Sequence, residues 1–118
     1  IAPNILEACK IQQRKAFFEF DSANLSTPDA STLEQVATCL TSGPLAGSEI
    51  VVVGHADPRG TDQYNMRLGM RRAESVRSFL VGRGVHAGAV QAESVGERGA
   101  IQDRSGWAWD RRVGIRLK

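Results

Sequence analysis

Residues 50–80, IVVVGHADPRGTDQYNMRLGMRRAESVRSFL, decide the fold of this chain. The apolar run Ile50–Val53 is typical of a central strand that is buried on both faces. A polar loop follows over residues 54–60, and a long amphipathic pattern comes after it. At about 100° per residue, this pattern predicts a helix with one largely apolar face. That face carries Asn65, Leu68, Arg72, Val76 and Phe79, and the opposite face carries Arg67, Arg71, Glu74 and Ser78.

Arg72 is the unexpected residue on the apolar face. A guanidinium that points at the core needs an anionic partner, because an unpaired buried charge is costly. Asp57, where the strand meets the loop, is the nearest candidate in the chain. The residues alone favour two interpretations equally. One is a structural salt bridge, and the other is a site in which the two side chains bind opposite ends of a zwitterion.

The composition is ordinary for a soluble globular domain. The 118 residues are 42% hydrophobic and 24% charged, with a formal net charge of +2. This charge is too small and too evenly spread to indicate nucleic-acid binding. No apolar run is long enough to cross a bilayer, and the chain starts at Ile1 without a signal-peptide pattern. We therefore expect membrane attachment only through a segment that lies outside this sequence.

Two cysteines, Cys9 and Cys39, lie 30 residues apart. Such a pair is compatible with a disulfide, two buried thiols or half of a metal site. Neither cysteine belongs to a C-x-x-C motif or has a histidine at ligand spacing, which disfavours zinc. We favour a disulfide, which would stabilise the fold by about 3–4 kcal/mol and would indicate an oxidising compartment.

The rest of the chain predicts an α/β (α+β) two-layer sandwich. A lead-in segment, residues 1–14, is expected to precede a domain over residues 15–118. The elements of that domain are a strand at Lys15–Phe20, a helix from Thr27, the strand and helix of residues 50–80, a strand at Ala89–Val95 and a last strand from Val113. Their order is β-α-β-α-β-β. Right-handed crossovers then give a four-stranded mixed sheet with the helices on one face.

Polar residues are predicted to meet at one rim of this sheet. Asp21 follows the first predicted strand and Asp57 follows the second, so parallel strands would place both at the same rim. An antiparallel last strand would begin there, next to Arg111. Asn65 and Arg72 can reach this rim from the helix. Ligands of open α/β sheets favour such a rim.

No residue pattern indicates catalysis. The chain has no nucleophile elbow, P-loop or dinucleotide fingerprint. His55 and Asp57 offer at most two metal ligands, and a histidine satisfied by backbone hydrogen bonds is the simpler interpretation. Trp107 and Trp109 either stack on a sugar or a partner or, as is commoner, pack a loop against the core. We predict a binding module that is not an enzyme and that uses no metal or cofactor.

Four motifs carry a family resemblance. They are Phe18-Glu19-Phe20-Asp21, Ala56-Asp57, N-x-x-L-G-x-x-R-A-x-x-V over residues 65–76, and Asp110-Arg111-Arg112-Val113. Together they resemble the signature of the OmpA C-terminal-like family of peptidoglycan-binding domains, and they are closest to its branch of peptidoglycan-associated lipoproteins. The chain departs from that signature at Asp110, where the family has Asn, and at Glu19, where it has Asp.

The resemblance implies noncovalent binding of peptidoglycan through the diaminopimelate of its stem peptide. By motif position, Asp57 would accept hydrogen bonds from the ligand's ammonium group, and Arg72 would bind its carboxylate. The other ligand-binding residues that the resemblance implies are Asn65, Asp21, Phe18 and Arg111.

The resemblance also implies a place in the cell. It is the periplasm of a Gram-negative envelope, in association with the outer membrane, where the domain would tether that membrane or an envelope complex to the wall. The alternative function is a periplasmic protein-interaction module. Such a module would dock a Tol-like partner and bind peptidoglycan weakly or not at all.

Overall fold

The structure, a computed structural model, describes residues 1–11, 27–56, 59–96 and 112–118, without the side chains of residues 27–29. Its described part has an α+β fold. The elements are α1 (Pro3–Cys9), α2 (Thr27–Thr41), β1 (Ile50–His55), α3 (Asp62–Gly82), a 3₁₀ turn (Ala87–Ala89), β2 (Val90–Gly96) and β3 (Val113–Leu117). Residues from every one of the helices and strands contribute to one hydrophobic core or pack against it.

The described sheet is mixed, with strand order β2-β1-β3. β1 runs parallel to β2, with Ile50 opposite Val90, and antiparallel to β3, with Ile50 opposite Leu117. The prediction of a central strand at Ile50–Val53 is therefore confirmed. The fourth predicted strand, Lys15–Phe20, lies outside the described residues, so the four-stranded sheet stays a prediction.

The long helix α3 matches its predicted pattern. The Oγ of Thr61 accepts a hydrogen bond from the backbone N–H of Tyr64, which caps the start of the helix. Beyond its last residue, Gly82, the chain turns at Gly84 with a φ of +102°, a conformation that favours glycine. The buried residues are Asn65, Leu68, Gly69, Arg72, Ala73, Val76 and Leu80. All four residues predicted for the opposite face are exposed.

Two glycines let α3 lie directly on β1. A Cβ at Gly54 would overlap the carbonyl oxygen of Gly69, and a Cβ at Gly69 would collide with the hydroxyl of Ser94. That hydroxyl donates a hydrogen bond of 2.7 Å to the carbonyl of Met66, which ties β2 to the same stretch of helix. Backbone therefore packs on backbone here. The inward residues of α3 are brought to the ends of both parallel strands.

The start of the chain contains a helix that the sequence pattern did not predict. Helix α1 lies within the predicted lead-in segment, where its Ile5 is fully buried. The backbone N–H of Ala2 donates a 2.7 Å hydrogen bond to the carbonyl of Ile115 in β3. A disulfide joins Cys9 to Cys39 of α2, as expected, and their Cα atoms are 5.6 Å apart. The boundary between a lead-in segment and a domain at residues 14 and 15 stays a prediction.

No helix in the described part of the chain combines the length and the apolar composition that crossing a bilayer needs.

Substituting Gly54→Ala should destabilise the protein strongly. Its methyl group has no space beside Gly69, so either the helix or the strand must shift, which typically costs about 1–3 kcal/mol or more. Gly82→Ala is the matched control, because a Cβ at Gly82 meets no atom within 4 Å. Urea unfolding should show no loss of stability for Gly82→Ala. Equal unfolding free energies for the two variants would contradict the close packing.

Removing the disulfide should also lower stability. The double variant Cys9→Ser/Cys39→Ser frees a loop closed over 30 residues, which corresponds to about 3–4 kcal/mol in the chain-entropy model. Chemical unfolding of the variant, and of the wild type with and without reductant, measures this difference. A reductant effect on the variant as large as that on the wild type would show that the bond is not its source.

Candidate binding site at the carboxyl ends of the parallel strands

The ends of β1 and β2 meet the start of β3 at one rim of the sheet. The backbone N–H of His55 donates to the carbonyl of Arg112 over 2.8 Å, and that of Ala56 donates to the carbonyl of Gly96 over 2.9 Å. The last strand is antiparallel to β1, so it begins at the rim where the parallel strands end. This confirms the predicted antiparallel last strand, whereas the predicted strand before Asp21 lies outside the described residues.

Arg72 reaches the rim from the buried face of α3. Its side chain has no exposed surface, and its Nη1 donates a 2.9 Å hydrogen bond to the carbonyl of His55. This bond uses one of the five N–H groups of the guanidinium and fixes the plane of the group at the end of β1. The buried guanidinium is therefore held at the carbonyl of His55, a residue that precedes Asp57 by two positions in the sequence.

Asn65 lies two turns before Arg72 on the same face of the helix. It is only 1% exposed, and its backbone N–H donates to the carbonyl of Thr61. Its Oδ1 approaches the loop that precedes the helix, since a Cβ at Gly60 would be 3.8 Å from that oxygen. The structure thus brings two buried polar side chains, a guanidinium and an amide, to the rim.

Four of the six predicted ligand-binding residues lie outside the described residues. They are Phe18, Asp21, Asp57 and Arg111. Their roles stay predictions, and so does the pairing of Asp57 with Arg72. The described neighbours Ala56 and Arg112 both lie at the rim, where they are joined to adjacent strands by the hydrogen bonds given above.

His55 contributes to the site in a way that the sequence did not reveal. Its carbonyl accepts from Arg72 and its N–H donates to Arg112, so its backbone joins the two arginine-bearing elements. A backbone acceptor leaves no trace in a residue pattern. Its half-buried imidazole has a pKa lowered to about 4, first by burial and then by the positive charge of Arg112.

The chemistry of the described rim suits an anion. Arg72 and Arg112 provide positive charge, and His55 stays neutral at physiological pH. The planar guanidinium groups of the arginines match carboxylates well. Binding a zwitterion also requires an acidic group, and the candidates for that role are Asp57 and Asp21. In residues 1–11, 27–56, 59–96 and 112–118, no three His, Cys, Asp or Glu side chains form a group that could hold a metal ion.

A family model described as the OmpA family matches residues 17–113. The peptidoglycan-associated lipoprotein of Rhizobium meliloti (strain 1021) is 38% identical over 102 residues, covering 84% of this chain and 57% of the relative. That of Pseudomonas putida is 37% identical over 103 residues, covering 85% and 60%. The chain therefore spans somewhat more than half the length of these curated relatives.

Solved structures share the fold. The peptidoglycan-associated lipoprotein from Burkholderia pseudomallei is 34% identical with a TM-score of 0.81, over 90% of this chain and 91% of that one. The cell wall anchor of the T6SS from Pseudomonas aeruginosa is 28% identical with a TM-score of 0.69, over 84% and 72%. The C-terminal domain of Helicobacter pylori MotB is 21% identical with a TM-score of 0.79, over 91% and 84%, which shows likeness of fold alone.

The lowered pKa of His55 predicts a pH dependence of stability. Between about pH 6.5 and pH 4 the unfolded chain binds a proton at this histidine while the folded chain does not, so the free energy of unfolding falls as pH decreases. Replacing His55→Gln should flatten this part of the profile, measured by urea unfolding at a series of pH values. An NMR titration of the His55 ring with a midpoint near its ordinary value would refute the prediction.

Proposed function

The chain belongs to the OmpA family, and on this premise we propose that it binds peptidoglycan noncovalently and tethers an envelope structure to the wall. The observation that carries the proposal is the position of Arg72. This arginine is fully buried on α3, and its guanidinium is held at the rim of the sheet by the carbonyl of His55.

A preorganised guanidinium is well suited to bind a carboxylate. Its planar fork forms two parallel hydrogen bonds with a carboxylate, and charge-assisted bonds of this kind are about twice as strong as neutral ones. Because Arg72 is already fixed by packing and by the bond to His55, a ligand orders no flexible side chain when it binds. Burial also reduces competition from water, which strengthens the attraction between the charges.

We propose diaminopimelate as the part of the wall that is recognised. This residue carries an ammonium and a carboxylate on one carbon, so an acid and an arginine at the same rim complement it. Asp57 is assigned to the ammonium and Arg72 to the carboxylate. Asn65 and Asp21 are assigned further hydrogen bonds, and the proposed rim is completed by Phe18 and Arg111. Recognition of this kind forms and breaks no covalent bond, so the function is binding and not catalysis.

The proposed location is the periplasm, in association with the outer membrane of a Gram-negative bacterium. Relatives that are 37–38% identical are named peptidoglycan-associated lipoproteins. The disulfide between Cys9 and Cys39 supports a compartment outside the reducing cytosol. Both observations agree with a domain that works where the wall is accessible.

Replacing Arg72→Gln should abolish most of the binding to peptidoglycan. The change removes the proposed carboxylate contact, and loss of one buried charged partner costs about 3–5 kcal/mol, or more than about 100-fold in affinity. Sedimentation with purified sacculi measures the bound fraction. The matched control is Arg71→Gln, which makes the same change in charge at the next residue, on the exposed face of the helix. It should be retained like the wild type.

Two further measurements separate binding from folding. Asp57→Asn keeps Arg72 in place and should also lose binding. Circular dichroism checks that each variant is folded. Free diaminopimelate should displace the domain from sacculi, whereas cadaverine, which keeps both ammonium groups and has no carboxylate, should not. Equal retention of the wild type, Asp57→Asn and Arg72→Gln would refute the proposed site and leave a protein-docking function as the better explanation. If the domain stays bound to sacculi in the presence of free diaminopimelate, the proposed ligand is refuted.

A further inference from the structure

A cavity of about 320 Å³ lies at the edge of the sheet opposite the candidate binding site. It is bordered by the end of α2, by the loop that precedes β1 and by the turn that precedes β2. β1 separates it from the rim by six residues, or about 20 Å at the usual rise of a strand. No residue assigned to peptidoglycan binding borders this cavity.

The wall next to β1 is held in place by backbone hydrogen bonds. The N–H of Gly47 donates to the carbonyl of Leu40 at the end of α2, over 3.3 Å. The N–H of Lys118, beyond the end of β3, donates to the carbonyl of Glu49 over 3.0 Å. The loop that presents the Glu49 side chain is therefore fixed at both ends.

The opposite wall is held by a side chain of α3. Nε of Arg77 donates to the carbonyl of Val90 over 2.9 Å, and its Nη2 donates to the carbonyl of Ala87 over 3.0 Å. Within the turn, the backbone N–H of Gly88 donates to Nδ1 of His86. Since Nδ1 is the acceptor, the neutral imidazole carries its proton on Nε2 and can donate it to a ligand.

The chemistry of the cavity is divided between its floor and its mouth. Leu40 and Val85 provide an apolar floor, and each is only 5% exposed. Glu49 provides a carboxylate that is 56% exposed, and its ion pair with Lys118 is long, at 3.6 Å, and equally open to water. Exposed pairs of this kind contribute about 0–1 kcal/mol, so another cation can replace Lys118 at little cost.

We propose that this cavity is a docking site for one basic side chain, arginine or lysine, of a protein partner. The methylene stem of such a side chain packs on Leu40 and Val85, and its cationic end binds Glu49 in place of Lys118. Nε2 of His86 donates to a backbone carbonyl of the partner. The volume is at the small end of ligand pockets, which are about 300–1,000 Å³, and it suits one long side chain better than a folded element.

The proposal is independent of the wall-binding function, and so is its test. The probe is the blocked tripeptide acetyl-Ala-Arg-Ala-amide, added to the ¹⁵N-labelled protein without peptidoglycan. We expect saturable NMR shifts of the Ser48, Glu49 and Gly88 amides, with a dissociation constant in the millimolar range, about 4 kcal/mol. Peptides with Gln or Glu in the central position should give no saturable shift of these amides.

Three surface variants make the test specific. Glu49→Gln should weaken binding of the arginine peptide at least about fivefold, and Lys118→Gln should strengthen it, because the competing ammonium is lost. Glu93→Gln is the matched control, since Glu93 is an exposed glutamate that is ion-paired with Arg116 elsewhere on the sheet. Failure to saturate, equal binding of the Gln peptide or an unchanged affinity in Glu49→Gln would overturn the proposal. Shifts of the same amides by diaminopimelate would overturn it as well, by making the cavity a second site for the wall ligand.

Discussion

The contact between Gly54 and Gly69 determines how close the polar side chains of α3 lie to the strand ends. Because neither residue has a side chain, the backbone of α3 rests on the backbone of β1 instead of on a layer of side chains. A helix at an ordinary packing distance from the sheet would hold its inward residues further from the strand ends. At this short distance, the guanidinium of Arg72 reaches the carbonyl of His55.

The same contact explains how the fold tolerates a buried cation. A guanidinium in a protein interior is stable only when hydrogen bonds and nearby negative groups replace its hydration. The end of a strand supplies a suitable acceptor, which here is the carbonyl of His55. The arginine therefore has a structural role in joining helix to strand. That role also keeps it rigid, as the proposed binding of a carboxylate requires.

The sequence predicts part of this arrangement and misses the rest for physical reasons. Helical periodicity places Arg72 and Asn65 on the buried face of α3, since the pattern runs over 21 residues and is strong. In the last strand, Val113, Ile115 and Leu117 occupy every second position, which predicts an inward Ile115, and this residue is 3% exposed. Helix α1 was missed because seven residues span only two turns, too few for a period to emerge.

Two features of the site have no local signal at all. The pairing of Gly54 with Gly69 is a contact between elements, and a glycine in either element alone indicates only flexibility. One acceptor of Arg72 is a backbone carbonyl, whose identity depends on where the strand ends and not on the residue that provides it. A residue pattern can name only a side-chain partner, here Asp57, and its pairing with Arg72 stays a prediction.

Stability and recognition are consequently coupled at one end of the domain and separate at the other. Gly69 and Arg72 are three residues apart on one face of α3, so a change that lifts the helix from β1 also moves the guanidinium away from the rim. A substitution of Gly69 or Arg72 therefore carries a cost in folding. Glu49 and Lys118, at the opposite edge, are exposed and make only a weak ion pair. Their substitution leaves the core intact, so that edge of the domain can change at little cost in folding, while Gly69 and Arg72 cannot.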